Sequence, residues 1–155
     1  AGYCVGGAYC LVQFCDLAVA AENADFFYPE AQLGFCGGLI ASTAARIPHK
    51  IAMELMLTGK HFDAQRAYEV GMVNQVVPVG KQVDVAMDYA KILANSAPLV
   101  VGMIKRFVRD TVTPKGPSEL HALARAELFT IRNSEDQQEG GAAFREKRTP
   151  IFKGR

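Results

Sequence analysis

The chain has 155 residues, of which 50% are hydrophobic and 21% charged, and its formal net charge is +1. These values are typical of one globular domain with a sizeable buried core. The near-neutral charge argues against a nucleic-acid partner or an anionic membrane surface. No apolar run approaches the ~20 residues of a membrane-spanning helix.

The first 77 residues predict alternating helices and strands. Gly6-Gly7 predicts a loop before an apolar helix, and Pro29 disfavours helix in the extended stretch around it. Gly59 is a candidate left-handed helix cap, and Asp63 is a candidate N-cap. The predicted elements are helices over residues 8–15, 37–47, 49–58 and 64–70, strands over 16–21 and 72–77, and an extended segment over 24–34.

The residues after Lys81 have a helical pattern throughout. Val101, Ile104 and Val108 form an apolar stripe at helical spacing. Ser134, with a glutamine three residues later, has the spacing of a capping box and predicts a last helix that ends near residue 147. We therefore divide the chain into an α/β part over residues 1–77 and a helical part over residues 78–155.

The cysteines predict reduced thiols rather than a metal site. Cys4, Cys10, Cys15 and Cys36 contain no CxxC pair, and the three histidines lie well away in sequence. Thiols in apolar surroundings are typical of cytoplasmic proteins, and no signal sequence is visible, so we predict a cytoplasmic location. Because Ala1 opens directly into a glycine-rich segment, we interpret the sequence as a piece of a longer or processed chain.

Three segments carry a family resemblance. The segments are "AGYCVGGAYCLVQFCDLAVAAENADFFYPEAQLGF", "LTGKHFDAQRAYEVGMVNQVVP" and "SEDQQEGGAAFREKRTPIFKGR". Together they resemble the crotonase (enoyl-CoA hydratase/isomerase) superfamily over essentially the whole chain. The resemblance implies an α/β fold, namely the second half of the crotonase-like ββα spiral (residues 1–77), followed by an all-helical C-terminal trimerisation region (residues 78–155). It also implies that earlier βα units, with one oxyanion-hole amide, lie outside this sequence.

The resemblance implies an acyl-CoA thioester substrate and an oxyanion hole at the glycine loop. Negative charge develops on the thioester oxygen in an enolate-like state, and fixed backbone amides stabilise it. By resemblance Gly7 supplies one of these amides and Gly6 belongs to the same binding loop. Glycine content alone would equally fit a tight turn before a helix.

Cys10 and Glu30 occupy the two positions at which hydratases of this family carry glutamates. A thiol ionises only near pH ~8.5, so Cys10 is a poor substitute for a carboxylate that orients water, and it has no histidine nearby in sequence to make it a nucleophile. Glu30 is then the single proton-transfer carboxylate, with apolar neighbours that should raise its pKa. Without the family context, Glu30 would be interpreted as a solvated loop residue. Tyr9 and Tyr28 fit acyl-pocket lining and core packing equally well.

The last quarter of the chain is predicted to bind the CoA part of the substrate and to assemble. Lys147 matches the family lysine that reaches the phosphates of CoA in a neighbouring subunit, and Phe129 falls near the position of an additional contact. A solvated basic end is the alternative interpretation of the "REKR" run. By resemblance the helices build a homotrimer or a hexamer. We predict no cofactor besides CoA as part of the substrate.

Three functions remain open at this point. We favour an isomerase-like, single-carboxylate reaction on a thioester enolate. The alternatives are an enoyl-CoA hydratase, which adds water to a 2-enoyl-CoA, and a catalytically weak homologue that binds CoA esters.

Overall fold

Five short strands form two small sheets. In the computed structural model, which describes residues 1–35, 46–112, 125, 128–129 and 131–155, β1 (Tyr3–Val5) pairs in parallel with β3 (Asp25–Phe27). Strand β3 also pairs antiparallel with β4 (Phe62–Asp63). The second sheet joins β2 (Val19–Ala21) and β5 (Gln75–Val77) in parallel. Helices separate these strands along the chain except between β2 and β3, as the predicted α/β class requires.

Six helices accompany the strands in the described part of the chain. The helices are α1 (Gly7–Phe14), α2 (His49–Thr58), α3 (Ala64–Glu69), α4 (Gln82–Ala94), α5 (Pro98–Phe107) and α6 (Glu135–Glu146). Helix α5 continues into a π-helical turn, Val108–Val112. None of the described helices combines the length and the apolar character needed to cross a bilayer.

Local capping signals in the sequence are confirmed. Gly59 closes α2 with a left-handed φ of 62°, a conformation that costs glycine little. The Asp63 side chain accepts the Arg66 amide at the start of α3, and the Ser134 side chain accepts the Gln137 amide at the start of α6. Each of these ends depends on neighbours within four residues, which is why the sequence predicted them.

The buried core lies between the sheets and helices α1 to α3. Its largest fully buried side chains are Tyr9, Leu55, Phe62 and Cys10. Helices α4 and α5 contribute no buried residue among those described. The α/β elements therefore carry the core, whereas the division at residue 78 stays a prediction.

Two predicted extended segments are shorter than expected. The strand predicted over residues 16–21 is regular only in β2, because the Ala18 amide donates to the Asn74 side chain instead of to a strand. The segment over residues 24–34 is a strand only in β3 and then bends into turns from residue 30. The predicted helix over residues 37–47 falls largely outside the described residues, as does Cys36.

Candidate functional site

The site is built where β1 and β3 end together. Because the two strands are parallel and Val5 pairs with Phe27, the residues that follow each strand emerge at the same sheet edge. The first strand is followed by Gly6-Gly7 and the second by the segment that contains Glu30. The register therefore brings together two groups that lie more than twenty residues apart in sequence.

The glycine loop is a strained bend that only glycine accommodates. Gly6 has φ 53° and ψ −115°, its amide donates to the Phe27 carbonyl at 3.2 Å, and its carbonyl accepts the Cys10 amide at 3.0 Å. A Cβ placed on Gly6 would lie 2.5 Å from Oε1 of Glu30. The missing side chain thus lets the Glu30 carboxyl approach the backbone bend.

Gly7 is the first residue of α1, so its amide has no acceptor within the helix. Apart from its chain neighbours and the backbone of α1, no described atom lies within 4 Å of the position that a Cβ on Gly7 would take. The Gly7 amide lies at the positive end of the helix dipole. It can donate to an oxygen of a bound molecule.

Glu30 is a buried carboxyl with an unsatisfied oxygen. Its side chain is largely inaccessible to water, and Oε2 has no hydrogen-bond partner among the described residues. Burial raises the pKa of Glu30 above its usual range, because the charged form loses hydration. A raised pKa and a free oxygen are the properties expected of a general base.

A cavity of about 690 Å³ opens beside Glu30. The turn over residues 30–35 forms one wall, and the start of α6 with the chain end forms the other. The lining residues are Glu30, Ala31, Gly34, Phe35, Ile131, Asn133, Ser134, Asp136, Gly154 and Arg155. Glu30 thus borders a space that could hold part of a substrate.

Cys10 and the two tyrosines belong to the core. Cys10 is 1% exposed, on the first turn of α1 after the glycine bend. Tyr9 and Tyr28 are buried and meet edge to face with ring centroids 6.3 Å apart. Of the two interpretations of these tyrosines, their burial favours core packing.

Lys147 and Phe129 lie away from the Glu30 cavity. Phe129 is 73% exposed, and Lys147 caps α6 in the left-handed region with φ 55°. Neither residue lines the cavity. Their predicted role at CoA therefore needs a second surface, and it stays a prediction.

The basic chain end is neutralised more than its sequence suggests. Arg148 forms a two-pronged pair with Glu139, at 2.5 and 2.9 Å, and also contacts Glu146. Lys153 and Arg155 each lie within 3.5 Å of Glu135. The interpretation of this run as a simple solvated basic end is therefore wrong for these three cations, because each has an acidic neighbour on α6.

The sequence prediction missed the contact between α6 and the Glu30 turn. A Cβ on Gly140 would overlap the Leu33 carbonyl, and a Cβ on Gly34 would overlap the Asp136 carbonyl. A glycine pair inside a helix was the available signal, since a buried glycine marks close backbone approach. No group of three or more His, Cys, Asp or Glu side chains in the described part of the chain could hold a metal ion.

Comparison with known proteins agrees with this geometry. The family described as "Enoyl-CoA hydratase/isomerase" matches residues 1–155. A carnitinyl-CoA dehydratase of Proteus mirabilis is 37% identical over 160 residues, covering 99% of this chain and 61% of the relative. The chain thus spans less than two thirds of the length of that curated relative.

Solved structures share the fold. A carnitinyl-CoA hydratase from Mycobacterium avium superposes with a TM-score of 0.91 at 35% identity, covering 99% of this chain and 60% of that one. A methylmalonyl-CoA decarboxylase in complex with 2-nitronate-propionyl-CoA gives 0.83 at 31% identity, covering 100% and 61%. These neighbours support the crotonase-like α/β fold. The resemblance predicted from the sequence is confirmed: the chain belongs to the enoyl-CoA hydratase/isomerase family of the crotonase superfamily.

Proposed function

We propose that the protein acts on an acyl-CoA thioester, holds its enolate with the Gly7 amide, and moves one proton with Glu30. The observation that carries this proposal is the position of the Glu30 carboxyl, whose Oε1 stands 2.5 Å from the Cβ position of Gly6. An acid group at that place is next to the amide that would bind the thioester oxygen. The two parts of an enolate-forming site are therefore adjacent.

The oxyanion role fits Gly7 better than Gly6. The Gly6 amide donates to the Phe27 carbonyl, whereas Gly7 is the first residue of α1 and its amide has no acceptor within the helix. Such an amide stabilises negative charge that grows on the thioester oxygen as the α-proton leaves. Loss of one donor of this kind typically costs ~3 kcal/mol of transition-state stabilisation.

Glu30 would catalyse a shift of the double bond in two proton transfers. Its carboxylate removes a proton from C2 of a 3-enoyl thioester, and the electron pair moves into a dienolate with its charge on the thioester oxygen. The protonated Glu30 then returns the proton to C4, and the double bond forms between C2 and C3. One base suffices, which matches a site in which Cys10 replaces the other family carboxylate.

Reversible hydration of a 2-enoyl-CoA is the second candidate. It is favoured by the relatives, whose names are carnitinyl-CoA dehydratase and carnitinyl-CoA hydratase. Water addition needs a group that orients water in addition to the proton donor. Cys10 is buried in the core and carries no carboxylate, so a second acid would have to come from a position other than residue 10.

Lys147 is proposed to contact the phosphates of CoA. Arg148, Lys153 and Arg155 are engaged by acids on α6, but Lys147 has no acidic partner among the described residues. Its backbone turns out of the helix in the left-handed region, and its side chain is exposed. A free ammonium group at a helix end is available to a phosphate of a bound or neighbouring molecule.

Assembly as a homotrimer or hexamer is proposed on the apolar faces of α4 and α5. Each of these helices carries large apolar side chains that stay about half exposed or more. They are Val83, Met87, Ile92 and Leu93 on α4, and Leu99, Met103, Ile104 and Phe107 on α5. Light scattering of the intact protein measures the assembly, and a monomer would contradict this part of the proposal.

Deuterium exchange separates the candidate reactions. The intact protein is incubated with a 3-enoyl-CoA and with a 2-enoyl-CoA in D₂O. A double-bond shift turns the 3-enoyl-CoA into the conjugated 2-enoyl-CoA, which raises the ultraviolet absorbance, and it places deuterium at C4 when the protonated Glu30 exchanges with solvent between its two transfers. Hydration instead removes the ultraviolet absorbance of the conjugated thioester and labels only C2. Acyl-CoA binding without either change would indicate a non-catalytic CoA-ester-binding protein.

Two variants test the role of Glu30. Glu30→Gln removes the base and should lower either rate by at least about 10²-fold. Glu22→Gln removes an exposed carboxyl from the turn between β2 and β3 and serves as the control for loss of a carboxyl elsewhere. If Glu30→Gln retained the wild-type rate, the proposed mechanism would be wrong.

A further inference from the structure

Three hydrogen bonds fasten the chain end to the start of α6. The Asp136 carboxylate accepts the Lys153 amide at 2.6 Å and the Gly154 amide at 2.7 Å. In the opposite direction, the Asp136 amide donates to the Arg155 carbonyl at 3.2 Å. We call this arrangement of Asp136 with residues 153–155 the tail clasp.

Asp136 is the strong part of the tail clasp. Its two carboxylate oxygens each accept a backbone amide, and a charged acceptor makes stronger hydrogen bonds than a neutral one. The ion pairs of Glu135 with Lys153 and Arg155 join exposed side chains at 3.4 to 3.5 Å and contribute little. An acid in the first turn of a helix commonly stabilises the N-terminus of that helix, but the carboxylate oxygens of Asp136 accept hydrogen bonds from the tail.

The tail clasp contacts the turn that carries Glu30. The Asp136 carbonyl lies against Gly34, and Phe152 of the tail lies 3.1 Å from the Cβ position of that glycine. Within the turn, the Glu30 carbonyl accepts the amides of Leu33 at 3.1 Å and of Phe35 at 3.0 Å. A movement of the tail would therefore reach the Glu30 backbone through one layer of contacts.

The clasp also forms the cavity wall opposite Glu30. Asp136, Gly154 and Arg155 line the same cavity of about 690 Å³ as Glu30. If the tail detached, that wall would be removed and water would enter beside the carboxyl. The cavity would lose the shape that keeps Glu30 dry.

We propose that Asp136 is a positioning residue for Glu30: by clasping the tail, it fixes the turn and the cavity wall that hold the proton-transferring carboxyl in place. This inference rests on the proposed function of Glu30. It adds a role for the last helix and the chain end in the chemistry of the site. Asp136 does not itself transfer the proton, since both of its oxygens are occupied by tail amides.

The pH profile distinguishes positioning from plain stabilisation. Burial raises the pKa of Glu30, so admitting water should lower it and move the acid limb of kcat/KM to lower pH. The charged groups that line the cavity with Glu30 in the described structure are Asp136 and Arg155. Replacing Asp136 would change the field at Glu30 directly, so the test leaves Asp136 unchanged and removes one of its donors.

The test compares Lys153→Pro with Lys153→Ala in the intact protein. Both variants lose the lysine charge, but only proline loses the amide that donates to Asp136. We expect Lys153→Pro to lower kcat/KM at least about tenfold and to shift its acid limb to lower pH. Lys153→Ala should match the wild type in rate and profile.

Amide hydrogen exchange supplies a readout that needs no substrate. Lys153→Pro should speed exchange at the Leu33 and Phe35 amides, while Lys153→Ala should not. The proposal is overturned if Lys153→Pro keeps the wild-type rate and pH profile, whether or not exchange changes. If the wild type turns over no acyl-CoA, the proposed function fails, and exchange at these two amides alone decides whether the clasp holds the turn.

Discussion

Replacing Gly140 by alanine tests the packing of α6 on the Glu30 turn. Gly140 is buried, and a Cβ built there would overlap the carbonyl oxygen and carbon of Leu33. Both atoms belong to the backbone of a hydrogen-bonded turn, so they cannot rotate away as a side chain would. Helix α6 or the turn must shift to admit the methyl group.

The magnitude follows from two opposing terms. Alanine in a helix interior is favoured over glycine by about 1 kcal/mol. Forcing a methyl group into a filled contact costs about 1–3 kcal/mol, and the backbone neighbours place this case at the upper end. We therefore expect Gly140→Ala to lower the free energy of unfolding by about 2 kcal/mol.

The neighbouring glycine provides a matched control in the same helix. A Cβ on Gly141 would lie 3.5 Å from Nη1 of Arg145, an ordinary contact with the end of a flexible side chain. Gly141→Ala should therefore keep the helix gain and be as stable as the wild type or up to about 1 kcal/mol more stable.

Urea unfolding, followed by circular dichroism, measures both changes. The two variants have the same composition, so a difference between them reports the local contact alone. The packing argument is refuted if Gly140→Ala is as stable as Gly141→Ala. Activity gives a second readout, because a displaced Leu33 should misplace Glu30 and lower kcat in Gly140→Ala only.

Three further predictions concern the glycine bend and two carboxyls. Gly6→Ala should lower kcat about 10²-fold, because its Cβ would displace the Glu30 carboxyl. Gly2 has a similar φ of 65° but open space around its Cβ position, so Gly2→Ala should keep the wild-type rate. Glu30→Gln should stabilise the fold at neutral pH. Because the folded-state pKa of Glu30 is raised, the wild type loses stability as pH rises from the unfolded pKa of about 4.3 through the folded pKa. Urea unfolding at pH 4 and pH 7 should therefore show a difference between the variant and the wild type only at pH 7. Glu139→Gln should act oppositely. Hydrogen bonds from Arg148 lower the pKa of Glu139 to about 2. The Glu139 carboxylate therefore stabilises the folded wild type above the unfolded pKa, and this stabilisation is lost as pH falls toward pH 2. Acid unfolding should begin at higher pH in the variant, which lacks it. An unchanged acid transition in Glu139→Gln would contradict the last expectation.

The elements that the sequence predicted well are those fixed by near neighbours. Gly59, Asp63 and Ser134 end or begin helices through contacts of three to four residues, and all three are found in those roles. Strands β1 and β4 were not predicted. They contain three and two residues, and they are regular only because β3 pairs with both. Such pairing depends on distant residues more than on local propensity.

The candidate site likewise has parts that the sequence predicts and parts that depend on distant residues. The family resemblance assigned roles to Gly7 and Glu30, but the residues alone were consistent with a turn and a loop carboxyl. What brings these two residues together is the parallel register of β1 and β3, which no local pattern encodes. The contact of Asp136 with the tail was missed because it joins residues seventeen positions apart.

Glu30 is held from two directions by parts of the chain that are far apart in sequence. From one side, the β1–β3 register places the Gly6 bend against its carboxyl. From the other, α6 presses on the turn at Leu33 and Gly34. In the proposed reaction one base serves two carbons of one substrate and has to stay in reach of both, and a buried carboxylate whose Oε2 lacks a partner among the described residues would otherwise turn toward water. Keeping Glu30 buried therefore depends on both supports, which links the last helix to the proposed chemistry.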